Sequence, residues 1–487
     1  MTTKPVRTRF APSPTGFLHI GGVRAALFNY LYAKSKGGTF VLRLEDTDRE
    51  RFVPKGVEQI VEVLKWLQIV PDEGFWEGAH SGDFKPYIQS ERLPHYRQWV
   101  DQLLESGLAY RSTISSADFE TAKQSSIAQK LPFVYRRTME PPTGDELDTT
   151  IDRPIRLDMK AVSQKLGLDE VVWSDEVRGE FTVRHDIIDD FILIKADGFP
   201  TYNFANIIDD HMMKISHVLR GDEFISSTPK HALLYDILDL ERPVWAHLPV
   251  ILGDDGAKLS KRHGDTDALQ YREKGFLPEV MLNFLALLGW NDGTEKEIFS
   301  IDEMMASFSL DRVQKSPAKF DLERLKWLNG IYIREQLSEA DYIEKAFQVL
   351  AMADMPQDDR AKQAVLLERD RVKLLSDLPE MIGFFFTVPD LMSTTALATK
   401  KIARLTVKSY VEWAIDALES CDETEVAVEK ELRAVVEREN IKVGDFFSTI
   451  RIVITGRTAA PGLFETIICL SLKETLSRLR NLNSQIN

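Results

Sequence analysis

Two prolines, three glycines and a histidine are packed into Arg9–Gly22, Arg-Phe-Ala-Pro-Ser-Pro-Thr-Gly-Phe-Leu-His-Ile-Gly-Gly. The run reads as a strand end, a stiff turn and a helix start. Pro12 and Pro14 fix φ and donate no hydrogen bond, Gly16 permits a turn, and Gly21–Gly22 open a helical stretch. A helix beginning there aims bare N–H groups and the positive end of its dipole above the turn, where phosphate is the expected occupant. The glycines would let a nucleotide approach the backbone, and His19 could donate to a phosphate oxygen as charge develops on it. Alone, the four residues His-Ile-Gly-Gly would suit a solvent-facing surface loop equally well.

A second signature lies far downstream. Lys258-Leu259-Ser260-Lys261-Arg262 follows the glycine turn Gly253-Asp254-Asp255-Gly256-Ala257, a mobile cationic clamp suited to a triphosphate. The pair resembles the two signature motifs of class I aminoacyl-tRNA synthetases. Longer words resemble the glutamyl-tRNA synthetase family of bacterial type: the Arg9–Gly16 run, Leu42-Arg43-Leu44-Glu45-Asp46-Thr47-Asp48-Arg49, and Asp197-Gly198-Phe199-Pro200-Thr201-Tyr202-Asn203-Phe204-Ala205. Asp209-Asp210-His211-Met212, Leu219-Arg220-Gly221-Asp222-Glu223, Lys315-Ser316-Pro317-Ala318 and Trp327-Leu328-Asn329-Gly330 continue the match in the same order. It covers roughly the first two thirds of the chain and is looser thereafter. Ser226-Ser227-Thr228-Pro229-Lys230-His231 departs from the family's usual Asn and Gln around Thr-Pro.

The resemblance implies an α/β protein: a class I Rossmann-type catalytic domain with a parallel sheet (1–108 and 189–255) split by an inserted α+β domain that holds the tRNA acceptor end (109–188). A lysine-loop and tRNA stem-contact domain (256–330) and two helical anticodon-binding subdomains (331–390 and 391–487) would follow. The residues agree in outline. Val6–Ala11 and Thr39–Glu45 read as strands around a helix with Val23, Leu27, Tyr30 and Leu31 in one stripe. Helices are expected over Gly56–Leu67, around Tyr96–Leu104 and over Leu277–Trp290, and a loop over Asp72–Gln89. Short β-like pieces, Pro154–Leu157, Val171–Trp173 and Phe181–Val183, fill the insert, and Phe191–Lys195 is expected to resume the sheet. After Gly330 the pattern is helical, with a linker near Asn329–Gly330 and a weaker break at Thr387–Thr399.

A chain of 487 residues suggests about three to five domains. With 44% hydrophobic and 28% charged residues, it has an ordinary globular composition. The formal charge of −15 opposes a broad nucleic-acid surface, so any RNA contact is expected in patches. Cys421 and Cys469, the two cysteines, suit a reducing compartment and no disulfide framework. Some members of the family carry a Cys-rich zinc site, but Tyr110–Tyr135 contains neither Cys nor His; no structural zinc and no protein metal site are expected. Without a signal segment or an apolar run near ~18 residues, a cytoplasmic protein away from membranes is expected, and the resemblance implies a monomer.

The implied reaction is ATP-dependent activation of L-glutamate, then transfer to the terminal 2′-hydroxyl of tRNA(Glu), with Mg2+ on the phosphates; charging of tRNA(Gln) is left open. Both substrates bring their nucleophiles, so the protein's task is positioning and charge stabilisation. By resemblance His19, Lys258 and Lys261 are catalytic, and Ala11, Gly21, Gly22, Asp48, Glu223 and Phe224 join them around ATP. Arg9, Ser13, Glu45, Tyr202, Asn206 and Arg220 would take glutamate, an arginine fork matching a carboxylate and Glu45 pairing with the ammonium. Arg371, Lys373, Arg451 and Arg457 are candidate tRNA contacts. A glutaminyl-tRNA synthetase, a small-molecule nucleotidylyltransferase and a non-catalytic tRNA-binding paralogue are the competing readings. Structurally, Arg220 could instead pair with Asp222 or Asp209.

Overall fold

The structure, a computed structural model, describes residues 5–130, 133–140, 153–259, 267–400 and 402–485. The chain divides into two units, Met1–Tyr271 with Pro278–Asp321, and Arg272–Leu277 with Leu322–Asn487.

In the first unit, β1 (Arg7–Phe10), α1 (Ile20–Ser35) and β2 (Thr39–Leu42) form the expected parallel βα unit, with Arg9 opposite Val41. Val23, Leu27 and Leu31 of α1 are fully buried, and the helix ends at Gly37, whose φ of +60° is the left-handed turn that favours glycine. α2 (Gly56–Trp66) buries Ile60, Val63 and Leu64. The stretch from Asp72, read as a loop, instead holds β3 (Glu73–Trp76), parallel to β2, and β4 (Ala79–Ser81), antiparallel to β3. No apolar alternation marks β3, because its seat is made by an absent side chain: a Cβ on Gly74, at φ +139°, would lie 2.2 Å from the Leu42 carbonyl oxygen. α3 (Leu93–Glu105) follows.

The insert contains β5 (Ala109–Arg111), α4 (Ser116–Ala128), β6 (Ile155–Leu157), α5 (Met159–Leu166), β7 (Glu170–Asp175) and β8 (Gly179–Arg184). Next come β9 (Ile192–Ile194), α6 (Tyr202–Met212), β10 (His217–Gly221), α7 (Thr228–Ile237), β11 (Val244–Leu248) and β12 (Ile251–Leu252). Two expectations change here. β9 does not resume the parallel sheet; it joins a three-stranded antiparallel sheet in the order β5-β6-β9, with Ile194 opposite Ile155 of the insert. Conversely, β7 from the insert pairs in parallel with β11, giving a sheet ordered β10-β11-β7-β8. The amide of Ser216 donates to the Arg7 carbonyl at 3.0 Å, bringing β10 beside β1. The carboxyl ends of β1, β2 and β10 thus share one rim, where parallel sheets bind ligands. Pro278–Leu287, inside the expected buried helix, is helical with seven successive buried residues from Val280 to Ala286.

The second unit is helical. Asn329 and Gly330, where a linker is expected, lie inside the helix Leu322–Ile331. The fully buried Asn329 amide accepts from the Leu277 N–H at 2.9 Å and donates to the Lys373 carbonyl at 2.6 Å, so it acts as a brace. The break expected at Thr387–Thr399 is largely occupied by the helix Leu391–Ala398, N-capped by Asp390. Among the described residues no helix is long and apolar enough to cross a membrane.

One buried acid of this unit has a consequence for stability. Glu368, 2% exposed, is pushed up to about 7 by desolvation, against the pull of the Arg371 and Arg457 charges. The neutral form is therefore favoured in the fold. Its stabilisation is complete below the ordinary carboxyl value of 4.5 and is lost as pH rises through about 7. Glu368→Gln is expected to melt like the parent below pH 4.5 and increasingly above it as pH rises to 8, read by thermal melts across that range.

Candidate active site

His19 caps α1: its Nδ1 accepts from the Gly22 amide at 3.2 Å. That bond assigns the ring proton to Nε2, which is left to donate. Desolvation holds the ring below its ordinary 6.5, Glu223 pulling it up and Lys258 pushing it further down. His19 is therefore a neutral donor at pH 7, a state suited to oxygen atoms gaining charge. Gly22 spends its amide on His19, leaving the amides of the first turn, Ile20 and Gly21, as the bare end of the helix.

The glycines also meet a constraint within the protein itself. A Cβ at Gly22 would sit 2.7 Å from Leu18 Cδ1, and one at Gly21 would sit 3.1 Å from both Cε1 and Nδ1 of His19. They leave room for the histidine and its neighbour before any nucleotide arrives. Gly21→Ala is expected to lower kcat about tenfold by shifting the ring, without loss of thermal stability, since alanine favours a helix.

Lys258 follows the hairpin turn at Gly256, φ +75°, and its Nζ lies 3.2 Å from Glu223 Oε1. Lys261 falls outside the described residues. Asp48 is held below the ordinary carboxylate range by its hydrogen bond from Arg51.

The opposite wall is a buried ionic network. Arg9 Nε donates to Asp210 Oδ1 at 3.1 Å, and its Nη2 lies 3.5 Å from Asn206 Oδ1. Arg43, fully buried, bonds Asp210 at 2.7 Å and Glu45 at 2.9 Å. Asn206 Nδ2 also donates to Glu45 Oε1, at 2.9 Å. Burial raises the Glu45 carboxyl, against Arg43. Asp209, beneath, takes Arg92 Nε at 2.6 Å and the Tyr96 hydroxyl at 2.8 Å.

Arg220 differs from the others. Its side chain donates to His247 Nε2 (3.0 Å), the Tyr202 hydroxyl (2.9 Å), His231 Nδ1 (3.2 Å), Thr228 Oγ1 (2.9 Å) and the Phe224 carbonyl (3.4 Å). None of these acceptors is a carboxylate. Asp222, a possible partner from sequence, belongs to Arg178, and Asp209 to Arg92. Three buried guanidiniums, Arg9, Arg43 and Arg92, thus share three carboxylates, Glu45, Asp209 and Asp210, while the fourth, Arg220, touches none of them.

One cleft of about 1460 Å³ is lined by Arg9, Ala11, Ser13, His19, Gly21, Gly22, Glu45, Asp48, Tyr202, Asn206, Arg220, Glu223, Phe224 and Lys258. Every expected ATP and glutamate residue within the described chain is among them. Sequence reasoning missed Arg43, Asp210, Asp175, His231, His247 and Arg24. Arg24 is buried on α1 and donates to the Leu288 carbonyl at 2.7 Å; burial pushes it down to about 10. A signal for Arg43 existed: a charge between Leu42 and Leu44, two residues from Glu45, shares that acid's side of the strand.

Residues 5–327 match the family model described as tRNA synthetases class I (E and Q), catalytic domain, and residues 336–483 match an anticodon binding domain. The glutamate–tRNA ligase of Dehalococcoides mccartyi strain BAV1 is 40% identical over 98% of this chain and 97% of its own. The chain belongs to the glutamate–tRNA ligase family. The Roseiflexus sp. strain RS-1 member is 41% identical, over 98% of this chain and 96% of its own length. A solved glutamate tRNA ligase from Elizabethkingia meningosepticum, crystallised in complex with its amino acid, superposes with a TM-score of 0.89 at 34% identity. That match spans 99% of this chain and all of the other.

The four candidate tRNA residues lie in the helical unit of this ligase-family chain and are differently placed. Arg371 bonds Glu368 at 2.8 Å, Lys373 is exposed, Arg457 donates to the Glu380 carbonyl at 2.6 Å, and Arg451 has a buried Nε without a partner among the described residues.

Proposed function

We propose that this glutamate–tRNA ligase binds ATP between the His19 turn and the lysine-loop side of the cleft, and L-glutamate against the Arg9–Glu45–Arg220 wall. The observation that carries the glutamate assignment is Arg220, a buried guanidinium among neutral acceptors only. A dicarboxylic substrate supplies the missing negative charge, and glutamine would supply less of it. Tyr202 accepts from Arg220, so its own proton is free for the substrate. The ammonium of glutamate, arriving beside Glu45, would draw that carboxyl back toward ionisation.

The α-carboxylate then attacks the α-phosphorus, and pyrophosphate leaves as His19 Nε2–H and the Lys258 and Lys261 ammoniums meet its growing charge. The 2′-hydroxyl of tRNA(Glu) next takes the glutamyl group, releasing AMP. Magnesium enters with ATP as part of the substrate. The domain divisions given by the sequence, and RNA contacts at Arg371, Lys373, Arg451 and Arg457, are part of this proposal.

Aminoacylation of tRNA(Glu) and tRNA(Gln), each offered glutamate and glutamine, tests it. Glutamyl-tRNA(Glu) is the expected product, and its absence, or faster glutamine transfer, would overturn the reading. Pyrophosphate exchange with glutamate is expected to need tRNA.

A further inference from the structure

Arg220 is held by an arrangement that neither the motif resemblance nor the glutamate assignment accounts for. His247 is fully buried on β11, with Nδ1 2.5 Å from Asp175 Oδ2 and Nε2 accepting from Arg220 Nε at 3.0 Å. A neutral imidazole has one donor and one acceptor nitrogen, so the carboxylate on one side sets the ring to accept on the other. Asp175 is anchored in turn: its Oδ1 accepts from the Val177 and Arg178 amides at 3.0 and 2.8 Å. On the far edge, His231 Nδ1 faces Arg220 Nη1 while Nε2 lies 3.1 Å from Asn203 Oδ1, which is the matching tautomer. Burial holds both rings neutral, below their ordinary value.

We infer that Asp175, acting through His247, and His231 beside it are positioning residues that fix the Arg220 guanidinium for the substrate carboxylate. The inference rests on the glutamate-site reading above. Asp175 stands one imidazole away from the arginine, so it orients the guanidinium without placing a carboxylate on the Nη1–Nη2 edge, whose acceptors, Tyr202, His231, Thr228 and Phe224, are neutral groups that a substrate carboxylate can displace. A directly paired acid would occupy that edge. The insert hairpin, which carries Asp175 at the end of β7, is thereby tied to amino-acid recognition.

The sign of each substitution follows from donors and acceptors. In Asp175→Asn the amide oxygen can keep the Val177 and Arg178 amides and, at 3.2 Å, the His247 backbone N–H, which turns its NH2 toward His247 Nδ1 and removes that N–H's second acceptor, Oδ2 at 3.1 Å. The imidazole proton then moves to Nε2, donor meets donor at Arg220 Nε, and the guanidinium is displaced. His247→Gln can present an oxygen to Arg220 Nε, whereas His247→Phe keeps a flat ring without an acceptor.

The test measures KM for glutamate, KM for ATP and kcat in tRNA(Glu) aminoacylation for Asp175→Asn, His247→Gln, His247→Phe and Arg220→Lys. Asp175→Asn and His247→Phe are expected to raise the glutamate KM by about tenfold or more, with the ATP KM within about twofold, and His247→Gln to recover most of the loss. In 15N spectra of histidine-labelled parent protein, the resonance lost in His247→Gln is expected to be that of an Nδ1–H ring. If Asp175→Asn does not fold, the Gln and Phe pair and the spectrum still decide. Equal glutamate KM in His247→Gln and His247→Phe, or an Nε2–H ring, would overturn the inference while a raised glutamate KM in Arg220→Lys upheld the site reading. An unchanged glutamate KM in Arg220→Lys would remove the site reading itself.

Discussion

Replacing His19 by alanine is expected to lower kcat for adenylate formation by about 10²–10³-fold, the usual cost of losing one aimed donor to a developing anion. The KM for ATP should move far less, because the donor matters most as charge builds on the departing pyrophosphate. Alanine also removes the Gly22 amide's acceptor at the helix cap, at about 1 kcal/mol of stability. His19→Asn separates the two effects. Asparagine caps well, so the thermal midpoint should return toward the parent, while the rate stays low because the shorter side chain does not reach where Nε2 stood. Single-turnover rates beside thermal melts read both. A His19→Asn protein with parental kcat would remove His19 from the mechanism.

The largest effect on stability is expected at Arg43. It is wholly buried, and Asp210, Glu45 and, at 3.7 Å, Asp209 surround it. Arg43→Met leaves these buried acids short of a counter-charge, a loss of about 3–5 kcal/mol. That is a large share of a domain's whole stability, about 5–15 kcal/mol, so the variant should be poorly soluble and unfold at markedly lower urea. Adding Glu45→Gln to it removes one orphaned acid and is expected to recover part of the midpoint. If Arg43→Met unfolds like the parent, the network has little to do with stability.

The charges explain which parts of the site were legible in sequence. Arg9, Glu45, Tyr202 and Arg220 sit at strand ends or the start of a helix within recognisable words, and all face the cleft. Asp175, His231 and His247 act from behind the first layer. Nothing local marks them: Asp175 reads as one more acid in an acidic insert, and its partner lies 72 residues away. The same limit applied to the fold. α1 and α2 show in their apolar spacing, whereas β3 depends on a glycine's missing side chain, and the pairing of β7 with β11 is a long-range fact that no window contains. At Gly21 and Gly22 the words of the sequence give no sign that His19 and Leu18 also lie where a Cβ would go.

The segment Arg272–Leu277 belongs with the helical unit although the chain on both sides of it belongs with the other. It therefore acts as a short strap, anchored where the Leu375 amide meets the Gly275 carbonyl and the Leu277 amide meets Asn329. A truncation placed after Asp321 would not separate the two units cleanly. It would leave the strap behind with its anchors removed and Leu277, 2% exposed in the intact chain, open to water, so genetic dissection of this enzyme should carry 272–277 with the helices or replace it by a polar bridge.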